Sequence, residues 1–257
     1  MTLTQRNYFS KKASMEYMSV SQFKAFQKCP AAALAEIKGK YKQEKSTALL
    51  VGSYVDSFFE GTLPQFKFEN PEIFKKDGTL KSEYIQAEAI IQRIQKDRLF
   101  MRYLSGKKQV IMTGEINGVK VKIKVDSLHT DKIVDLKIMR DFENVYVPEL
   151  GRVPWFEGWH YEIQGAVYQE IVRQNTGKKL PFYLAAATKE KVTDLDIVHL
   201  DDEMLDTALT HFAQEVEYFD AIKRGIIEPT RCEKCDYCKS TKVLKEPTEA
   251  ETFYFDI

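Results

Sequence analysis

Asp126, Asp135 and Lys137 combine residue types and a spacing that can perform metal-assisted chemistry on a phosphate. Residues 119–126, Val-Lys-Val-Lys-Ile-Lys-Val-Asp, alternate apolar and charged side chains as a half-buried strand does. That alternation predicts Asp126 on a polar face with Lys120, Lys122 and Lys124. A turn at His129-Thr130-Asp131-Lys132 leads to a second strand, 133–138, on which Asp135 and Lys137 share a face because residues two apart point the same way. Two carboxylates can hold a hard divalent cation, and an ammonium beside them can meet the charge of a phosphate under attack. That is the chemistry of a nuclease. The competing account is a solvated strand face, since an Asp-x-Lys on a strand often arises by chance.

The elements that must position these groups are legible from pattern. Asn117-Gly118 marks a hairpin between strands at 109–116 and 119–128, and 133–139 completes an antiparallel three-strand meander. Further strands are expected at 181–188 and 195–200. A short helix capped by Ser19 or Ser21 ends near Cys29-Pro30, and helices follow at 31–37 and 49–59, the latter stopped by Gly61. Residues 62–78 read as loop, and 82–104 as one long helix. Another helix is expected at 155–175, where His160, Gln164 and Tyr168 recur every four residues beside an apolar face. A last helix spans 201–224 and stops at Gly225. The fold class is α/β or α+β: a mixed central sheet flanked by helices. Residues 1–18 read as a flexible arm, 19–240 as a single domain and 241–257 as a tail ending in Phe253-Tyr254-Phe255-Asp256-Ile257.

Lysine and arginine balance aspartate and glutamate at 38 each, so whole-molecule charge gives no support for a nucleic-acid partner. Basic surface must be local, with Lys122 and Lys124 as candidate DNA contacts and Lys189 and Lys191 as a second cluster. No apolar run approaches the ~20 residues of a membrane span, and the N-terminus lacks a secretory core. A cytoplasmic protein is therefore expected, where structural disulfides are rare. The 4 cysteines need another role. Cys232-x-x-Cys235-x-x-Cys238 is a tight triplet that a distant Cys29 can complete, as around a [4Fe–4S] cubane. Zinc, or no metal at all, remains open. Either metal would pin the C-terminal segment to the N-terminal helices.

The series Asp126, Asp135-x-Lys137, Gln164-x-x-x-Tyr168 resembles the active-site signature of the PD-(D/E)xK nuclease superfamily, in its RecB/RecE-like exonuclease branch. The likeness covers about residues 19 to 240 and extends to exodeoxyribonuclease VIII-like proteins of phages and prophages. The chain departs from the pattern at Asp135, where glutamate is commoner, and at Asp56, which stands where Gly52-Ser53-Tyr54-Val55 leads one to expect a histidine ligand. Glu115 matches an additional acidic position of phage-type members. The resemblance implies a restriction-endonuclease-like core and Mg2+ (or Mn2+) on Asp126, Asp135 and the Leu136 carbonyl, with Glu115 and Asp56 as further ligands. It gives Gln164 and Tyr168 the positioning of substrate phosphate or metal shell. It further implies resection of double-stranded DNA ends, 5′ to 3′, a single-strand-annealing recombinase as partner, a ring-shaped homo-oligomer and a phage or prophage origin in a bacterial host. The cysteines resemble those of AddB-type and CRISPR-adaptation nucleases, in which an iron–sulfur cluster brackets the core. The rival readings are an endonuclease or CRISPR-adaptation-like nuclease, and a non-catalytic DNA-binding module.

Overall fold

The alternating segments assemble into a five-stranded mixed sheet among the described residues. The computed structural model describes residues 1–43, 46–148, 150–244, 246 and 247. In chain order the helices are α1 (Lys11–Glu16), α2 (Val20–Lys28), α3 (Pro30–Ile37), α4 (Thr47–Glu60), α5 (Leu63–Glu69), α6 (Ser82–Gln95) and α7 (Arg98–Tyr103). Strands β1 (Lys107–Ile116), β2 (Val119–Leu128) and β3 (Ile133–Met139) follow, then a small hairpin of β4 (Val145–Val147) and β5 (Gly151–Val153). The chain continues through α8 (Trp155–Gly158), α9 (Tyr161–Thr176), β6 (Phe182–Thr188), β7 (Leu195–Leu200), α10 (Asp202–Arg224) and α11 (Asp236–Ser240).

The expected antiparallel meander is present: β1 pairs with β2, and β2 with β3. β3 then runs parallel to β6, the connection passing through α9. Helices cover both faces. On one side Phe23, Phe26, Ile163, Val167, Phe212 and Val216 pack on Val121, Ile123, Phe182 and Leu184. On the other, Val55, Ile91 and Phe100 pack on Val134, Leu136 and Ala185. A strand covered on both faces has no room for an idle charge. Asp135 and Lys137 on β3 must therefore be partnered.

The structure corrects several expectations. Residues 1–18 are not a loose arm. They form α1 and bury Tyr8, Ala13, Tyr17 and Met18. Met18 also pairs with β2, exchanging hydrogen bonds with Lys120 and Lys122 at 2.8 and 2.9 Å. The stretch 62–78 contains α5 and a 3-10 turn at Pro71–Ile73. The expected helix over 82–104 breaks at Lys96-Asp97, where the Asp97 carboxylate accepts from the Leu99 and Phe100 amides and starts a new helix. The helix over 155–175 is interrupted by His160, whose φ of +53° is left-handed. Most of the 241–257 tail, residues 248–257 included, lies outside the described residues.

Candidate active site and thiol centre

Strands β2 and β3 touch briefly and then part. Their ladder holds only Ser127 opposite Val134 and Leu128 opposite Ile133 among the described residues. One step further, Asp126 faces Asp135 across the opening fork. There the Asp126 carboxylate replaces a strand partner, its Oδ2 accepting from the Leu136 amide at 3.1 Å. The Leu136 carbonyl lies along the same edge, because N–H and C=O of one strand residue point together. The other Asp126 oxygen accepts from Gln109 Nε2 at 3.2 Å, with Gln109 itself in a left-handed kink of β1 (φ +52°). Met18 bridges Val121 on the β2 edge that β3 vacates.

Asp135 is 2% exposed and held from two sides. Gln164 Nε2 donates to its Oδ1 at 2.7 Å, and the Lys137 ammonium pairs with Oδ2. That ammonium also lies 4.9 Å over the Tyr161 ring. Burial works against the Lys137 charge, but Asp135, Tyr161 and Asp126 outweigh it and hold its pKa above the ordinary lysine value. Gln164 reaches β3 because α9 presses close: a Cβ on Gly165 would meet Leu205 and Phe182 at 2.8 Å. Four residues on, the Tyr168 hydroxyl donates to the Lys124 carbonyl at 3.2 Å, locking α9 to β2. His160 leaves this stripe and faces Glu162 instead.

Asp56 joins from α4, on the opposite sheet face, lining one small cavity with Asp126, Leu136, Lys108 and Gln109. Burial and the neighbouring Asp126 push its carboxyl well above the usual range. Burial and Asp135 likewise push Asp126 up to about 7. The Asp56 Oδ1 and Gln109 Oε1 in this cavity are buried without a hydrogen-bond partner, while Asp135 Oδ2 is held by the Lys137 ammonium. Orphaned buried oxygens and reluctantly ionised carboxyls fit a hard divalent cation, whose charge and empty coordination positions would satisfy both.

Two expected contributors do not belong. Glu115 is exposed at the hairpin end of β1, paired with Lys120. At ~3.3 Å per residue it stands roughly 20 Å along the strand from the position opposite Asp126, too far to share an ion. Lys122 is 3% exposed and donates to the Tyr8 carbonyl, so it buttresses the N-terminal segment and offers no open phosphate contact. Lys124 is half-buried, its ammonium 5.1 Å over the exposed Phe9 ring. Lys24 on α2 was missed by the pattern. It reads as an ordinary polar-face residue of that helix, yet it lines a cleft of about 630 Å³ with Lys137, Gln164 and Tyr168. Burial and the neighbouring Lys137 draw its pKa down to about 8.

A separate centre joins the chain ends. The Sγ atoms of Cys29, Cys232, Cys235 and Cys238 all lie within 4.8 Å of one another, a group able to hold a metal ion. Cys29 sits at the corner between α2 and α3, where the Ala31 amide donates to the Thr230 carbonyl at 3.0 Å. The Cys235 amide donates to Cys232 Sγ at 3.3 Å, and the Cys238 amide to Cys235 Sγ at 3.5 Å. Donation from the backbone of Lys234 and Cys235 lowers the Cys232 thiol to about 6, favouring the thiolate that a metal needs.

Residues 19–241 match a family described as a PDDEXK-like domain of unknown function (DUF3799). A crystal structure of a "Putative exonuclease" from Eubacterium rectale is similar to the chain at 49% identity and a TM-score of 0.97, covering 100% of both chains. No protein with curated annotation matches. No helix among the described residues is long and apolar enough to cross a membrane.

Proposed function

The chain belongs to the PDDEXK-like family, and on that premise we propose that it is a metal-dependent nuclease that hydrolyses DNA from double-stranded ends. One observation carries the reading: Asp126, Asp135 and Lys137 meet at the opening between β2 and β3, with Asp56 and Gln109 oxygens left unpartnered in the small cavity beside Asp126. Asp126, Asp135 and the Leu136 carbonyl would hold Mg2+ or Mn2+, with Asp56 on the far side. When bound, such an ion lowers the pKa of a water and screens the phosphate charge.

The chain's own residues do the rest. Lys137 stays charged at neutral pH and presents a fixed ammonium to the charge that builds on phosphorus. Gln164 fixes the Asp135 carboxylate, and Tyr168 fixes the β2 backbone two residues before Asp126. Both are positioning residues. Lys24, at the cleft, supplies positive charge for the DNA backbone, and Lys124 lies nearby over the Phe9 ring that lines it. Action on ends is supported by the similarity to the Eubacterium rectale protein. Resection 5′ to 3′, an annealing recombinase and a ring-shaped oligomer rest on the family resemblance alone.

Linear duplex, circular duplex and single-stranded DNA, each incubated with Mg2+, test the proposal. Loss of linear duplex alone, progressing from its ends, is the expected result. Nicking of circles would move the protein to the endonuclease reading. Binding without cleavage of any substrate would sink the nuclease assignment.

A further inference from the structure

We propose that Cys29, Cys232, Cys235 and Cys238 hold one tetrahedral, thiolate-bound ion of the zinc class, in place of the [4Fe–4S] cluster that the resemblance implies. The argument is one of size. Cys29 Sγ lies 3.6 Å from Cys238 Sγ, Cys232 Sγ lies 4.0 Å from Cys238 Sγ, and all four fall within 4.8 Å. A single ion with bonds of ~2.3 Å at tetrahedral angles sets its thiolates about 3.8 Å apart. A cubane interposes four irons and their bridging sulfides, so its terminal thiolates stand roughly 6 Å apart. Seating one here would force the sulfurs apart by about 2 Å. The closest pair is also far beyond the ~2.05 Å of a disulfide bond.

The backbone leaves little slack for that expansion. Cys29 closes α2 through its amide to Ala25 and opens α3 at Pro30, so it is bound into two helices. The Ala31–Thr230 bond ties this corner directly to the segment that carries the triplet. Cys238 is fully buried, in α11. Four thiolates around a divalent ion leave two negative charges, and Arg231, itself paired with Glu233 at 2.7 Å, lies beside them. Its guanidinium donates to the Cys238 carbonyl at 2.7 Å and lies 5.9 Å over the Tyr237 ring. The ion would clamp residues 209 positions apart in sequence. This inference stands apart from the nuclease reading, since none of the four thiols lines the cleft or the carboxylate cavity.

The full chain, purified without oxygen and without a metal-affinity step, is assayed for metal content, acid-labile sulfide and X-ray absorption at the metal edge. One zinc per chain, no sulfide, a sulfur shell near ~2.3 Å and no metal–metal distance are expected. Exchange with Co2+ should give the visible bands of tetrahedral cobalt thiolate. Cys232→Ser, at the partly exposed thiol, should speed loss of the ion to a chelator by tenfold or more. If that variant does not fold, the wild-type measurements still decide. About four irons with matching sulfide, or a folded chain free of metal, would overturn the proposal.

Discussion

The carboxylate site and the thiol centre are both candidate metal sites, yet the fold treats them in opposite ways. In the thiol centre backbone amides donate to the Cys232 and Cys235 sulfurs, and at Cys232 that donation favours the thiolate before any ion arrives. Asp56 and Asp126 are buried beside other carboxylates, with raised pKa values and an unpartnered oxygen on Asp56, so their charge opposes folding until a cation enters. The first arrangement suits a clamp, the second a reactive site kept poised at a cost in stability. Lys137 offsets part of the carboxylate charge through its ion pair with Asp135.

The largest break in this comparison should come from Lys137→Ala. Loss of a fixed cation at the reacting phosphate should lower the cleavage rate by ~10²–10³ or more. The variant also strands Asp135 in the core, at about 3–5 kcal/mol of stability. Pairing Lys137→Met with Asp135→Asn should recover much of that stability, read by thermal melts, while cleavage stays lost. Recovery of activity with stability would show that the ion pair is structural only.

Next in size is the clamp. Stripping the thiol-bound metal, or Cys238→Ser, should cost on the order of 3 kcal/mol, a drop of about 6–12 °C in Tm for a domain of this length. Well below the new Tm, a Mg2+-supported cleavage rate within threefold of the parent is expected. A much larger loss there would tie the two sites together.

Asp126→Asn should separate function from stability. The Asp126 carboxyl, ordinarily near 3.8, is raised to about 7 in the fold. Between those values the folded chain holds a proton that the unfolded chain has released, so stability falls as pH rises from about 4 to about 7. Without divalent ions the variant should lose that slope and gain about 1–3 kcal/mol at pH 8, while cleavage disappears. Melts across pH with a chelator present check both signs. An unchanged slope would mean that Asp126 ionises freely.

The smallest effect belongs to Glu115→Gln. With its side chain exposed at the far hairpin, cleavage should stay within twofold and stability within about 0.5 kcal/mol. A hundredfold loss of activity would place Glu115 in the site and overturn the strand register described above.

Much of this molecule was readable one segment at a time. Alternation in 119–128, the Asn117-Gly118 turn and the apolar run of 133–139 determined a meander, and the family signature singled out Asp126, Asp135 and Lys137 on it. Helix interruptions were harder, because the apolar spacing of 82–104 continues through Asp97 while a side-chain cap quietly restarts the helix. Burial of Lys122 was invisible for a related reason. An alternating lysine looks solvated until a segment a hundred residues away folds over it, as Tyr8 does.

Residue identities and local periodicity thus determined, without any coordinates, which chemistry the chain can offer and on which strands. Only the tertiary structure decided which groups share a site: it admitted Asp56 and Lys24, removed Glu115, and set the sulfur spacing that separates one ion from a cluster. The physical reason is that strand and helix periods act over a few residues. Convergence at a site depends on how β2 and β3 diverge, how closely α9 presses on β6, and where the chain ends meet.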